Sequence, residues 1–295
     1  MTIRNVLKRG LRAAGLEVHR LVRPRLQAQP SSIFGPAVQA EPIWPLPRRA
    51  GISDAEITAG VSAFRDWHYA LEFQNGPSFP SMWTKPGSPD PHAQRLPQRF
   101  RHFMPAALAA AGGDLKGKRV LDIACNGGFW SLQCALLGAE VTAFDSRPEL
   151  LEQTRLLFRI AGLAEPRLQV LDYWAMTPAS LGGSYDLVLN LGILYHLPDP
   201  LAALRLALAM SREVVVLDTM VSRSTESVVK LIWEEPDAIF NAVTPGIVAY
   251  PSRSSVEMML RQLGAKRYQE IPLSRLPMPQ DYLSGDRTSW VIEVR

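Results

Sequence analysis

The chain has 295 residues, 47% apolar and 20% charged, with two cysteines, 24 prolines and a net charge of +4. That length buries a real core and fits one large domain with appendages or two small ones, with the composition of an ordinary soluble globular protein. No apolar run approaches the roughly 18–20 residues of a membrane span, no continuous apolar stretch follows the basic N-terminus as in a secretory signal, and Cys125 and Cys134 lack the neighbours of a zinc site.

A reducing cytoplasm and no metal are therefore expected. The charge is unevenly placed. Residues 1–50 carry nine Lys and Arg against Glu17 and Glu41, a net of +7, which leaves −3 on the rest. Residues 3–22, IRNVLKRGLRAAGLEVHRLV, set Ile3, Val6, Leu7, Leu11, Leu16 and Leu21 among basic side chains, as in a short amphipathic helix interrupted by Gly10 and Gly15. A segment like residues 3–25 suits the inner face of an anionic membrane or nucleic acid, and equally a solvated tail or a helix docked on the body. Pro24, Pro30, Pro36, Pro42, Pro45 and Pro47 then mark an extended linker.

Residues 51–113 read as a helical and aromatic extension. Ser53 caps a helix to Phe64, with Glu56 as its capping-box partner. Trp67, His68 and Tyr69 open an aromatic strand or turn, fit for a lid, an acceptor pocket or simple packing. Residues 78–91 are loop. Residues 94–111 make one helix, or two split by Pro97 and Pro105, with Arg95, Arg99, Arg101 and His102 meeting a phosphate or forming a solvated face.

Residues 114–295 read as the main domain. Val120–Ile123 is a short apolar run typical of a strand covered on both faces. Asn126, Gly127 and Gly128 break it with residues that tolerate a tight turn. A helix over residues 129–137 ends at Gly138, and the strand over residues 141–144 delivers Asp145 at its carboxyl end. A helix over residues 149–161, a strand over 168–171 before Asp172 and Tyr173, and a strand over 185–191 follow. Next come a helix over 201–210, a strand over 213–218, an insertion over 221–250 lying across the strand ends as a lid, a helix over 254–263, and strands over 267–271 and 289–294. Strands alternating with helices predict an α/β fold: a Rossmann-like seven-stranded, mostly parallel sheet with helices on both faces.

The unit from Lys118 to Asp145 suits the nucleoside half of a cofactor. A dinucleotide would require G-x-G-x-x-G after the first strand, and Ala124, Asn126 and Phe129 stand in those places. A methyl donor without a pyrophosphate needs only close backbone approach, an acid for the ribose hydroxyls and a polar residue near the adenine. Asp122, the turn, Asp145 and Asp172 supply these in order.

At this point LDIACNGGFWS resembles the first motif of class I S-adenosylmethionine-dependent methyltransferases. With WHYALEFQNG before it, and GILYHLPDPLAAL and VAYPSRSSVEMMLRQLGA after it, residues 64–295 are similar to the tRNA 5-carboxymethoxyuridine methyltransferase-like family. The resemblance implies S-adenosyl-L-methionine as cofactor. Asp122, Ala124, Cys125, Asn126, Gly127 and Gly128 would hold its methionine part, and Asp145 with Ser146 the ribose. Asp172 and Tyr173 would lie at the adenine, and Asn190 to Gly192 beneath the sulfonium. Tyr195 matches a tyrosine facing the transferred group, and Arg287 stands where the tRNA enzyme has an arginine. The lysine with which that enzyme reads a carboxylated donor falls near Asn75, so the plain methyl donor is expected.

A hydroxyl acceptor needs a base. His196, after the strand that ends at the cofactor, is the candidate, with Tyr195 beside it, though the histidine also suits a role bracing its loop. Trp67, His68, Tyr69 and Arg287 are candidate acceptor contacts. The expected activity is O-methylation of a sugar, glycan or other small molecule. A tRNA wobble-uridine enzyme is the alternative, not favoured by the negative body, and a non-catalytic binding module is a third reading.

Overall fold

A computed structural model describes residues 38–235, 241, 246–273 and 276–294. The basic segment over residues 3–25 lies outside them. Helix α1 (Asp54–Ser62) starts with the expected capping box: the Ser53 hydroxyl accepts from the Glu56 N–H, and Glu56 accepts from the Ser53 N–H at 2.8 Å. Strands β1 (Leu71–Glu72) and β2 (Ser78–Phe79) form a small antiparallel pair, so residues 78–79 are not all loop. Helix α2 (Arg95–Ala110) runs unbroken. Pro97 falls in the first turn, where its missing N–H has no helical partner to lose, and Pro105 is carried by a face that buries Phe100, Phe103, Met104 and Ala107.

The main sheet follows with helices between its strands. In order come β3 (Arg119–Ile123), α3 (Phe129–Leu136), β4 (Glu140–Asp145), α4 (Pro148–Ala161), β5 (Arg167–Val170), α5 (Pro178–Leu181), β6 (Tyr185–Leu191), α6 (Pro200–Met210) and β7 (Ser211–Met220). Strands β8 (Val229–Glu234) and β9 (Gly246–Pro251) pair antiparallel with each other, outside the main sheet. Helix α7 (Arg253–Gln262), β10 (Arg267–Glu270), α8 (Gln280–Leu283) and β11 (Arg287–Glu293) complete the chain.

The sheet has seven strands in the order β10-β11-β7-β6-β3-β4-β5. Only β11 runs against its neighbours. Side chains alternate across it. Val120, Leu187, Leu189, Val214, Val216 and Val291 face α2, α3 and α4, while Leu121, Ile123, Val188, Val215, Leu217 and Ile292 face α5, α6 and α7. Both faces are covered, which is why these strands read as nearly continuous apolar runs. The order reverses between β3 and β6, so the two loops leaving their carboxyl ends diverge and open a crevice there. Among the described residues no helix is long and apolar enough to cross a membrane.

Candidate active site

The crevice begins at the turn after β3. Ala124 and Asn126 both have φ near 52°, and Gly128 has φ 81°. A side chain on Gly128 would lie 2.5 Å from Thr154, so only glycine fits. Asp145 holds the turn from the next strand: its Oδ2 accepts from the Asn126 N–H at 3.1 Å and its Oδ1 from the Arg147 N–H at 3.0 Å. Asn126 Oδ1 accepts from the Gly127 N–H at 2.7 Å, which points the amide Nδ2 at His68 Nδ1, 3.0 Å away. His68 therefore carries its proton on Nε2. Burial, reinforced by His92, Arg95, Arg99 and Arg287, pulls the pKa of His68 down to about 3 and keeps it neutral.

Above this turn lies a cavity of about 570 Å³, within the range of small-molecule sites. One end is lined by Ala124, Cys125, Asn126, Asp145, Ser146, Asp172 and Tyr173, the other by His68, Tyr69, Arg99, Tyr195, His196 and Arg287. Trp233, Ile247 and Val248 bring the β8–β9 hairpin to its wall.

The second end rests on buried charge. Asp218, at the end of β7, accepts at Oδ1 from Arg99 Nη2 and from Arg287 Nη1, both at 2.7 Å. Its Oδ2 accepts from the Ser289 hydroxyl at 2.7 Å and from the Tyr282 hydroxyl. Asp281 continues the chain, accepting from Arg287 Nε at 2.8 Å and from Arg95 Nη2 at 2.6 Å. Burial works to raise the pKa of Asp218, but the two guanidiniums and hydroxyl donors outweigh it and hold the carboxyl well below its usual range. Arg287 also donates from Nη2 to the Tyr195 hydroxyl at 3.2 Å.

His196 and Tyr195 sit on a short 3₁₀ turn, Leu194–His196, just past β6. His196 Nδ1 is 2.7 Å from Glu234 Oε2 on the hairpin. The Tyr195 ring meets Tyr250 of β9 edge-on at 5.5 Å.

Several residues expected at the site are set back from the cavity wall. Asp122 lies beneath the turn, accepting from the Ser131 hydroxyl at 2.7 Å, and burial pushes its pKa up to about 7. Asn190 is fully buried, its Nδ2 donating to the Tyr173 hydroxyl at 3.0 Å, while its Oδ1 has no partner among the described residues. Trp67 is buried, with Nε1 donating to Val61 O at 3.0 Å, and it flanks Gly127 and Gly128 in a smaller recess behind the turn. Asn75 is a clear correction. It sits exposed in the turn between β1 and β2, where its carbonyl accepts from Arg48 at 3.3 Å, so its lack of charge says nothing about the donor. The chain leaves the cavity at β1, after His68 and Tyr69. The reading of Arg95, Arg99, Arg101 and His102 as a solvated or phosphate-facing surface also changes. Arg99 and His102 are buried, Arg95 is paired with Asp281, and Arg101 pairs with Glu41 at 2.6 Å. Arg99, Asp218, Tyr282 and Glu234 are the site residues that sequence reasoning missed. A spacing of four from Arg95 to Arg99, on the stripe that carries Leu96 and Phe103, was the available signal for the first.

The first end fits a nucleoside. Each Asp145 oxygen accepts one N–H and keeps a lone pair, so a vicinal diol finds two acceptors on one carboxylate. Backbone turned to the left-handed region at Ala124 and Asn126 brings main-chain groups, rather than side chains, to the same place.

A family model described as a methyltransferase domain matches residues 92–270, more than half of the chain. The chain belongs to that family, and it is an S-adenosylmethionine-dependent methyltransferase. The ubiquinone biosynthesis O-methyltransferase of Xanthomonas oryzae pv. oryzae (strain PXO99A) is 45% identical over 116 residues, 37% of this chain and 46% of that protein. Its counterpart in Xanthomonas campestris pv. campestris (strain B100) is 41% identical over the same length. The chain thus spans about half the length of the curated relatives it matches. Among solved structures, the N-terminal domain of EvdMO1 with SAH bound superposes with a TM-score of 0.63 at 21% identity, over 84% of this chain and 100% of that one. A second structure of that domain, in the presence of SAH and D-fucose, gives the same values. This likeness is one of fold.

Proposed function

We propose that the chain O-methylates a hydroxyl of a small hydroxylated acceptor, a sugar, glycan unit or ring. The observation that carries this reading is His196: its ring lines the far end of the cavity, and Nε2 has no hydrogen-bond partner among the described residues. A hydroxyl is a weak nucleophile until its proton has somewhere to go, and a positioned imidazole supplies that.

When bound, S-adenosylmethionine supplies an electrophilic methyl carbon, its sulfur keeping the electron pair of the bond that breaks. Asp145 receives the ribose hydroxyls, with Ser146 beside it. Asp172, Leu171 and Trp174 frame the adenine, and the backbone at Ala124–Asn126 and Gly192 meets the methionine end. Asp122, Gly127, Gly128 and Asn190 act from behind, holding the turn and the floor in shape. Tyr195, fixed by Arg287, and the neutral His68 with Tyr69 orient the acceptor so that its oxygen lies in line with the methyl group. The relatives named ubiquinone biosynthesis O-methyltransferase support an oxygen acceptor, and the structure solved in the presence of D-fucose puts sugar hydroxyls among those to try.

The test is transfer of a labelled methyl group to a panel of free hexoses including D-fucose, simple catechols, and bulk tRNA. Label in a hydroxylated small molecule, lost in His196→Asn, is expected. Label in tRNA alone would replace the reading with the wobble-uridine one. The basic segment over residues 3–25 is proposed to bring the enzyme to an anionic membrane surface. Liposome flotation unchanged by deleting it would remove that part.

A further inference from the structure

We propose that Glu234, carried in on the inserted hairpin, is a positioning residue that makes His196 a base at Nε2. The proposal rests on the reading of His196 above and adds the group that fixes its proton. Nothing in the order of elements requires an acid here, since β8 and β9 belong to neither face of the main sheet.

The geometry is specific. Glu234 Oε2 and His196 Nδ1 are 2.7 Å apart, and their side chains are only 15% and 9% exposed. A carboxylate accepts hydrogen bonds and donates none, so the proton of this contact belongs to Nδ1. The lone pair is then left on Nε2, the nitrogen without a partner among the described residues. Which ring nitrogen is protonated is set by the hydrogen bond the other makes, and Glu234 sets it in the direction that proton removal needs.

Strand alternation explains how the acid arrives. On β8, Lys230, Ile232 and Glu234 share one face, and their partners across the pair are Tyr250, Val248 and Gly246. That face turns Glu234 to His196 and Tyr250 to Tyr195, so both residues of the 3₁₀ turn are gripped by the same side of the hairpin. On the opposite face Leu231 is exposed, while Trp233 and its partner Ile247, though largely exposed, edge the cavity. The hairpin therefore seats on the site through its inner face, and Glu234 is one of the groups that seat it.

The proton balance is simple. With S-adenosylmethionine bound, the acceptor hydroxyl would give its proton to His196 Nε2 as its oxygen lone pair forms the bond to the methyl carbon and the sulfur keeps the electron pair of the S–C bond that breaks. The imidazolium that results would lie against the Glu234 carboxylate, 2.7 Å from Nδ1, and the proton would leave from Nε2 to water. This is the base-and-orienter arrangement of nucleophile activation, here with a glutamate in the orienting place.

The experiment uses the full chain with labelled histidine nitrogens, saturated with S-adenosylhomocysteine. A long-range proton–nitrogen correlation spectrum reports each ring's tautomer, and His196→Asn identifies the His196 signals. The expected result is an Nδ1–H tautomer at His196, and loss of that preference in Glu234→Ala. Glu234→Gln, of the same size, keeps S-adenosylhomocysteine affinity within about twofold, while methyl transfer to the best hydroxyl of the panel falls by about 100-fold in kcat with little change in KM. An Nε2–H tautomer in the wild type, or one unchanged in Glu234→Ala, overturns the proposal. Full transfer by His196→Asn sinks the reading of His196 as base. Loss in His196→Asn with full transfer in both Glu234 variants sinks the role of Glu234 alone.

Discussion

The two ends of the cavity are built by different means. At the cofactor end, the hydrogen bonds that shape the wall join near neighbours: Asn126 to Asp145 across 19 positions, and Arg147 to Asp145 across two. The donors are backbone N–H groups. At the acceptor end the bonds join side chains from remote elements: Arg99 to Asp218 across 119 positions, Arg99 to Tyr282 across 183, and Arg95 to Asp281 across 186. A wall of backbone survives a change of side chain as long as the turn still forms. A wall of buried ion pairs does not, because removing one partner strands the other.

Asp218→Ala should break the acceptor end most severely. It leaves Arg99 and Arg287 buried without their shared carboxylate, and breaking a buried pair from one side costs about 3–5 kcal/mol. Urea unfolding of the variant should show that loss at neutral pH; a loss below about 1 kcal/mol would mean the cluster relaxes into water. The two ends should also answer pH with opposite sign. Asp281 has its pKa lowered to about 2: burial opposes this, but hydrogen bonds and charge from Arg95 and Arg287 prevail. Its contribution to stability is present above the ordinary carboxylate pKa of about 4 and is lost as pH falls toward 2. Asp122 is the reverse. Its folded pKa is raised to about 7 by burial, so the folded state holds more protons between about 4 and 7 and stability falls as pH rises through that window. Asp122→Asn keeps the shape without the charge. Its advantage over wild type should grow from nothing near pH 4 to on the order of 2–4 kcal/mol at pH 8. Parallel pH curves for the two proteins would show that Asp122 stays ionised without penalty.

The same contrast governs what was legible in the sequence. The strands declared themselves as short apolar runs because both faces of the sheet are covered, and the turn after β3 declared itself through Asn126, Gly127 and Gly128. Asp145 was readable from its place at a strand end. Arg99 was not, because in RLPQRFRHF the charges look like a solvated face, and the partners that make its burial tolerable, Asp218 and Tyr282, lie 119 and 183 positions away. Glu234 was hidden differently. VKLIWE alternates as a strand should, but the apolar side of the alternation, Val229, Leu231 and Trp233, is the exposed one, so the usual inference from periodicity points the glutamate at solvent. Asn75 misled because family likeness placed it by alignment, and the turn between β1 and β2 carries it away from the cavity.

Asp145→Ala tests the cofactor end directly. Charge-assisted hydrogen bonds of this kind contribute about 1.5–3 kcal/mol, so S-adenosylhomocysteine affinity should fall by about 10–100-fold by calorimetry. Stability should change less than in Asp218→Ala, since no cation is stranded and burial already raises the pKa of Asp145. An Asp145→Ala protein as unstable as Asp218→Ala would erase the distinction between the two ends.

The smallest effect should come from Ala124→Gly. Ala124 holds φ 52° on the turn, a conformation that places Cβ near the following carbonyl oxygen and costs an L-residue about 1–2 kcal/mol. Glycine removes that strain, but the unfolded chain gains freedom at the same position, which returns about 0.5–1 kcal/mol. The net should be a stabilisation of about 0.5 kcal/mol, read as a small rise in the urea midpoint with an unchanged slope. Cofactor affinity should stay within about twofold, because the groups presented there are backbone. A destabilised Ala124→Gly would mean that the methyl group of Ala124, which packs against the core cluster on that face of the sheet, contributes more by contact than its backbone loses by strain, and the cofactor end would then depend on side-chain packing after all.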